Sequence, residues 1–435
     1  MLKRNIFQKI SLILVLCLAS TATPTLAQKI WITKMPSTAL AAAAVPGRSE
    51  AILRNPDRAV MPATTAVKIV AGYLHTCALT SEGGVKCWGY NSDGQLGNGT
   101  TIESHIPVNV TGLTSGVIDI AVGDFHTCAV TASGGLFCWG NNGNGRLGDG
   151  TTTDSYEPIN VSGLASGVVA VAAGNAHTCA LTTSGAVKCW GDNLFGILGD
   201  GTTTERHEPV GVYGLESGVV AITASHNHSC ALTTSGGIKC WGWNTAGELG
   251  NGTQDETHTP TDVYGLGSGV AAVSAGTFDT CALTTAGGMK CWGYNKYSEL
   301  GDGTHLDSSF PVDVLGFESG VAAIAPGEYH TCALTDTGVL FCWGYNAWGQ
   351  LGTGSNEDSY SPAVVPMDRL IADVSAGVGH TCALTTYGGV KCWGENENGQ
   401  LGDGTTTDSN EPINVGEFEE ILPTYFYLYL PAIVK

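Results

Sequence analysis

Fourteen of the fifteen cysteines stand in seven pairs: Cys77 and Cys87, Cys128 and Cys138, Cys179 and Cys189, Cys230 and Cys240, Cys281 and Cys291, Cys332 and Cys342, Cys382 and Cys392. Thiols can hold metal or oxidise to disulfides, and spacing separates the two chemistries. Zinc sites usually place about two to four residues between neighbouring thiolates, whereas nine lie within each of these pairs. A hairpin argues for oxidation. If Thr80 pairs with Gly84, a three-residue loop remains, and such loops favour glycine at the left-handed third position. That position is glycine in every repeat: Gly83, Gly134, Gly185, Gly236, Gly287, Gly338 and Gly388. Cys77 then faces Cys87 with Cβ atoms about 4.5–5.5 Å apart, within a small adjustment of the roughly 3.5–4.5 Å that a disulfide needs. Seven intrablade disulfides are expected, with buried free thiols as the alternative.

Two other patterns suggest metal. A histidine precedes the Thr/Ser-Cys of six repeats (His75, His126, His177, His228, His330, His380), and Asp279 takes the seventh place. One residue per repeat lies on a circle rather than at a coordination centre, so a structural hydrogen-bonding role is expected. His226 and His228 alternate on a strand and share a face, a local exception. The runs Gly148–Asp154 and Gly402–Asp408 place two carboxylates around threonine hydroxyls, oxygens that calcium accepts. Asn98, Asn251 and Thr353 replace the first of these aspartates elsewhere. The expectation is no metal and no cofactor, with calcium as the minor alternative.

The elements that position these residues follow from the period. Successive pairs are 51 residues apart, the last 50, the mark of a repeat architecture. One unit contains four strand-like runs, Val168–Ala172, His177–Thr182, Val187–Gly191 and Pro209–Val212, each bounded by turn-forming residues. The expected fold is all-β: a closed seven-bladed propeller with about four short antiparallel strands per blade and one disulfide-pinned hairpin in each. The recurring tryptophans, Trp88, Trp139, Trp190, Trp241, Trp292, Trp343 and Trp393, are expected between blades.

The segments HTCALTTSGAVKCWG (177–191) and NENGQLGDGTTTDSNEPINV (396–415) resemble the repeats of the regulator of chromosome condensation family. The resemblance covers residues 67–415 and itself implies a seven-bladed propeller. The cysteines are an addition to the general family pattern and suit a secreted bacterial-type member. The family's founding activity, nucleotide exchange on a small nuclear GTPase, depends on a wedge inserted in the propeller. The nearly unbroken period here leaves no room for one. Other members are binding platforms, and one secreted bacterial propeller of similar repeats inhibits β-lactamases through an aromatic-rich face, a precedent by analogy.

The chain ends point the same way. Lys3, Arg4 and Lys9 precede the apolar run Ile10–Ala19, and Thr25-Leu26-Ala27 offers a cleavage site, as in a secretory signal. Residues 1–27 are read as that signal, with lipidation of Cys17 as the alternative. Residues 28–66 form an Ala/Pro/Thr-rich linker that can donate a closing strand, and 67–415 the propeller. Residues 416–435 form an acidic then apolar tail, read equally as a packed terminal strand or an attachment signal. Its ten-residue apolar end is too short to span a bilayer. Loss of three basic residues with the signal would take the net charge from −20 to −23, which argues against nucleic acid.

Positions that differ between repeats carry the functional expectation. They cluster in two stretches, one before the repeated histidine and one after Trp-Gly, both away from the hairpin turn. Aromatic residues concentrate there: Tyr73, Phe125, Trp243, Tyr294, Tyr297, Tyr329, Tyr345 and Trp348. Aromatic side chains in polar loops are the chemistry of binding hot spots. No Gly-x-Ser-x-Gly elbow, His-Glu-x-x-His helix or phosphate-cradling loop occurs. The expected function is a monomeric, secreted or envelope-associated scaffold that captures an extracellular protein or glycan. A central-channel enzyme and a structural envelope component are the alternatives.

Overall fold

The structure, a computed structural model, describes residues 64–418. The expected signal, the linker before Thr64 and the tail beyond Phe418 lie outside these residues. Seven four-stranded antiparallel sheets follow one another, each built from four consecutive strands. In the first blade these are β1 (Ala66–Ala71), β2 (His75–Thr80), β3 (Val85–Gly89) and β4 (Ser104–Asn109). No helix among the described residues is long and apolar enough to cross a membrane.

Burial follows strand position. The second strand of each blade, HTCALT or a close variant, is buried along nearly its whole length because neighbouring blades cover both its faces. The outermost strand is an edge and is half exposed. In the third blade it runs Arg206–Gly211, opening three residues before the expected Pro209. An edge strand needs no apolar run, so Arg206-His207-Glu208 extends the ladder although nothing in its hydrophobicity announces a strand.

All seven cysteine pairs form disulfides within their blades. Cys77 bonds Cys87, Cys128 bonds Cys138, Cys179 bonds Cys189, Cys230 bonds Cys240, Cys281 bonds Cys291, Cys332 bonds Cys342 and Cys382 bonds Cys392, each with Cα atoms 4.1 Å apart. The buried-thiol alternative is thereby excluded for these fourteen residues. Cys77 lies opposite Cys87, as the three-residue loop requires. The Thr80 N–H donates to the Gly84 carbonyl at 2.8 Å, and Gly83 turns the chain with φ of 78°. Counting back from the Thr80 and Gly84 pair, Cys77 and Cys87 form a non-hydrogen-bonded pair, the site where antiparallel Cα atoms approach most closely.

The blades are joined by a repeated set of hydrogen bonds onto one backbone carbonyl. The Trp139 indole N–H and the Thr127 hydroxyl both donate to the Gln95 carbonyl of the preceding blade, each at 2.9 Å. Having given its only proton to that carbonyl, Thr127 accepts from His75 Nε2 at 2.9 Å. His75 is therefore neutral with its proton on Nε2, and burial pushes it down to about 3. Trp190 and Thr178 repeat the pattern on the Arg146 carbonyl, with His126 on Thr178. The ring closes the same way: Trp88 and Thr76 donate to Gln400, and His380 meets Thr76. Closure adds a parallel bridge between Thr64 and Phe418, with Phe418 packed on Trp88.

One link is broken. Trp343 and Thr331 still donate to the Glu299 carbonyl, but Asp279 sits where the histidine belongs. Buried and close to Glu248 and Glu299, its carboxyl is pushed well above the usual range, mainly by loss of solvent. Asp279→His should extend the sixfold pattern to all seven blades and raise the thermal midpoint. Thr178→Val, which strips one donor and one acceptor from a buried site, should cost about 2 kcal/mol in denaturant unfolding. Replacing both Cys179 and Cys189 by alanine should cost about 3 kcal/mol.

Candidate binding face

Two loops per blade leave the same end of each sheet. A three-residue link joins the first and second strands, as at 72–74, and a longer loop joins the third and fourth, as at 90–103. The long loop is organised by one buried asparagine. Asn142 Oδ1 accepts the Leu147 N–H at 3.0 Å, while its Nδ2 donates to the carbonyls of Thr151 and Thr153. The carboxylates that suggest calcium serve this loop. Asp149 Oδ1 accepts from the Thr151 N–H and hydroxyl, and Asp154 accepts the Asn142 N–H at 2.7 Å. Asn98 does the work of Asp149 in the first blade, accepting from Thr100. Among the described residues no group of three or more His, Cys, Asp or Glu converges as a metal site.

The aromatic residues expected in these loops divide into three groups. Tyr294, Tyr297, Tyr329, Tyr345 and Trp348 form one connected patch across blades five and six. Tyr297 meets Tyr329 at 5.4 Å and Tyr345 at 5.0 Å, and Tyr345 meets Trp348 at 5.4 Å. Trp243 stands apart, packed edge-on against Phe195 at 4.4 Å. Tyr73 and Phe125 form a third, separate pair at 5.8 Å. All eight are half-buried. Phe278, absent from the expected set, links Tyr294, Tyr329 and His226. Its signal was present, since it occupies the same variable stretch as Tyr329.

The channel mouth opens beside this patch. Small residues from every blade line it, with Asp124 and His226 among them. The glycines allow adjacent blades to approach: a Cβ on Gly123 would collide with the Gly174 carbonyl and the His126 ring. His226 and His228 do not share a face. His228 begins a strand and bonds Thr280 of the next blade, whereas His226 lies in the preceding turn. It meets Asp124 at 3.3 Å and Asn175 at 2.8 Å. Burial lowers its affinity for a proton, but Asp124 and Glu328 more than offset this and leave its pKa raised.

Two buried glutamates lie under these loops. Glu248 and Glu299 each use one oxygen to accept the N–H two residues before, from Ala246 and Tyr297, and leave the other without a partner. Desolvation pushes Glu248 up to about 6 and Glu299 up to about 8. A carboxyl whose proton is held more tightly in the folded chain contributes stability fully present below its unfolded value of 4.5, lost as pH rises through the folded value. Glu299→Gln keeps the acceptor for Tyr297 and installs the residue found there in other blades, Gln95, Gln350 and Gln400. The variant's thermal midpoint should match the parent's near pH 5 and exceed it near pH 8.

Comparison with known proteins agrees with this architecture. The family model described as RCC1-like domain matches residues 44–314 and 112–425. The chain is 34% identical over 315 residues to the ultraviolet-B receptor UVR8 of Arabidopsis thaliana, covering 71% of this chain and 72% of that one. It is 33% identical over 315 residues to the human E3 ubiquitin-protein ligase HERC2, covering 70% of this chain but only 6% of that much longer protein. Among solved structures, human WBSCR16 superposes with a TM-score of 0.68 at 24% identity, over 76% of this chain and 93% of that one. Saccharomyces cerevisiae Prp20p does so with 0.67 at 22% identity, over 81% and 87%. These structures share the fold. With the family model running through the blades and a relative one-third identical over most of both chains, this chain belongs to the RCC1-like domain family.

Proposed function

We propose that the chain acts outside the cytosol as a binding scaffold, capturing a protein or glycan through the aromatic loops of one propeller face. The observation that carries this reading is the joined patch of Phe278, Tyr294, Tyr297, Tyr329, Tyr345 and Trp348. These rings come from two blades and three kinds of loop position, yet they touch one another instead of filling the spaces between blades. That role belongs to the constant tryptophans, which are fully buried. Rigid rings with a polar edge are suited to binding because little rotamer freedom is lost on contact. The similar structure of yeast Prp20p is described together with that protein's binding to Gsp1p and histones, which supports a binding role for a propeller of this kind. The extracellular setting rests on seven disulfides, which persist in oxidising compartments, and on the signal-like first 27 residues.

The test is capture of partners from the native extracellular fraction by the mature chain and by a Tyr297→Ala, Tyr345→Ala, Trp348→Ala variant. The variant should keep its fold, read by circular dichroism and thermal midpoint, and lose capture by at least about thirtyfold. Equal capture by a folded variant would refute the assignment.

A further inference from the structure

Acidic charge is concentrated on the loop end of the propeller. The fourteen loops between first and second strands and between third and fourth strands hold twenty-one Asp and Glu but only two basic residues, Arg146 and Lys296. The remaining described residues hold fourteen acidic and eight basic side chains, so the imbalance belongs to one end. Neither loop cation neutralises it. Arg146 is buried and turned inward to the Asn175 carbonyl and Asn144. Lys296 rides over the Tyr294 ring at 5.4 Å, an intramolecular example of a cation on this patch.

The carboxylates surround the aromatic rings. Glu328 stands next to Tyr329 in the chain, and Glu299, whose carboxyl burial pushes up to about 8 and so leaves largely neutral, accepts the Tyr297 N–H without adding charge. Asp307 and Asp358 accept the N–H groups of Asn295 and Asn346, the residues that follow Tyr294 and Tyr345. Burial first, then neighbouring acidic groups and phenols, among them Asp307, Glu328 and Asp358, holds the Tyr294, Tyr329 and Tyr345 phenols above their usual range. A phenol face in negative surroundings attracts a cation twice, through the ring quadrupole and through the adjacent carboxylates. Arginine gains further because its planar guanidinium stacks on aromatic rings.

We infer that the partner taken by this face is a basic polypeptide segment, seating Arg or Lys side chains on Tyr297, Tyr329, Tyr345 and Trp348 beside Glu328. This rests on the aromatic-patch reading above and narrows it. Charge complementarity selects the occupant: an acidic partner would be repelled by all seven long loops, each of which carries Asp or Glu, and a neutral glycan would use the rings while leaving the carboxylates unanswered.

The probe is an arginine–glycine repeat peptide, compared with its citrulline counterpart of the same length, titrated into the mature chain and followed by isothermal titration calorimetry. The arginine peptide should bind at least about tenfold tighter, and the difference should shrink as salt rises and the screening length falls below about 10 Å. Tyr345→Ala with Trp348→Ala should weaken arginine-peptide binding with the charge of the face unchanged, and Glu328→Gln should weaken it with the rings intact. Equal affinity for the two peptides, lost in the aromatic variant, would overturn the basic-partner inference while leaving the aromatic patch as the binding site. Arginine-peptide binding untouched by the aromatic variant would reduce it to diffuse charge attraction and overturn it too. Failure of both peptides, with capture in the pull-down still lost in the aromatic variant, would sink only the inference. Failure of that capture assay would sink the broader reading.

Discussion

One backbone carbonyl in each blade organises the ring. It lies in the long loop after the third strand, at Gln95, Arg146, Ile197, Glu248, Glu299, Gln350 and Gln400, and accepts from both the tryptophan and the threonine or serine of the next blade. Two donors on one acceptor fix its direction as well as its distance. Because the loop that supplies the carbonyl is also a surface loop, assembly of the ring and positioning of the binding face are one act. The asparagine at the start of each loop holds it in a single shape, and that shape delivers the carbonyl to the neighbour and the variable side chains to solvent.

This interlock explains how the propeller closes among the described residues without exchanging a strand between its ends. The seventh and first blades meet through the same Trp, Thr and His contacts that join the first and second, and Ala66 N–H donates to Gly388 as Val117 N–H donates to Gly83. Each interface is nearly a copy of the next, so stability is close to a sum of like terms. The disulfides act at another level. They brace hairpins within blades and leave the interfaces between blades to hydrogen bonds and buried indoles. Breaking one kind of tie does not by itself undo the other.

Much of the fold was legible because the seven repeats constrain one another. A glycine that recurs at one hairpin position reports a left-handed turn, and a cysteine pair at fixed spacing reports a register; Gly83 and the Cys77 to Cys87 bond are cases where local geometry leaves little freedom. The outer strands were less legible because an edge strand carries no hydrophobic signature, as at Arg206–Glu208. The histidine ring could be read as structural, but its tautomer and its threonine partners depend on how two blades meet, which no single repeat contains. For the binding face, position on the loops was readable and connectivity was not. Trp243, Tyr73 and Phe125 look like Tyr345 among the variable residues, yet they join Phe195 or each other rather than the patch. Phe278, in the same variable stretch as Tyr329, does join it. Which rings touch is decided by the angle between neighbouring blades and by side chains about fifty residues apart.

The division between scaffold and surface also bears on charge. Where blades interlock, the histidines are held neutral by burial, so the ring carries hydrogen bonds without carrying charge. The exceptions are Asp279, Glu248 and Glu299, whose carboxyls are pushed toward the neutral form instead. All three lie in blades four and five, next to the aromatic patch. A buried acid that keeps its proton costs less than one that ionises without a partner, and Asp279 and Glu299, the two pushed furthest, are held in that cheaper form. Tyr294 and Tyr297, in the same loop as Glu299, are half-buried. A partner meeting those rings finds them already packed against one another, with much of the ordering cost met during folding rather than at the encounter.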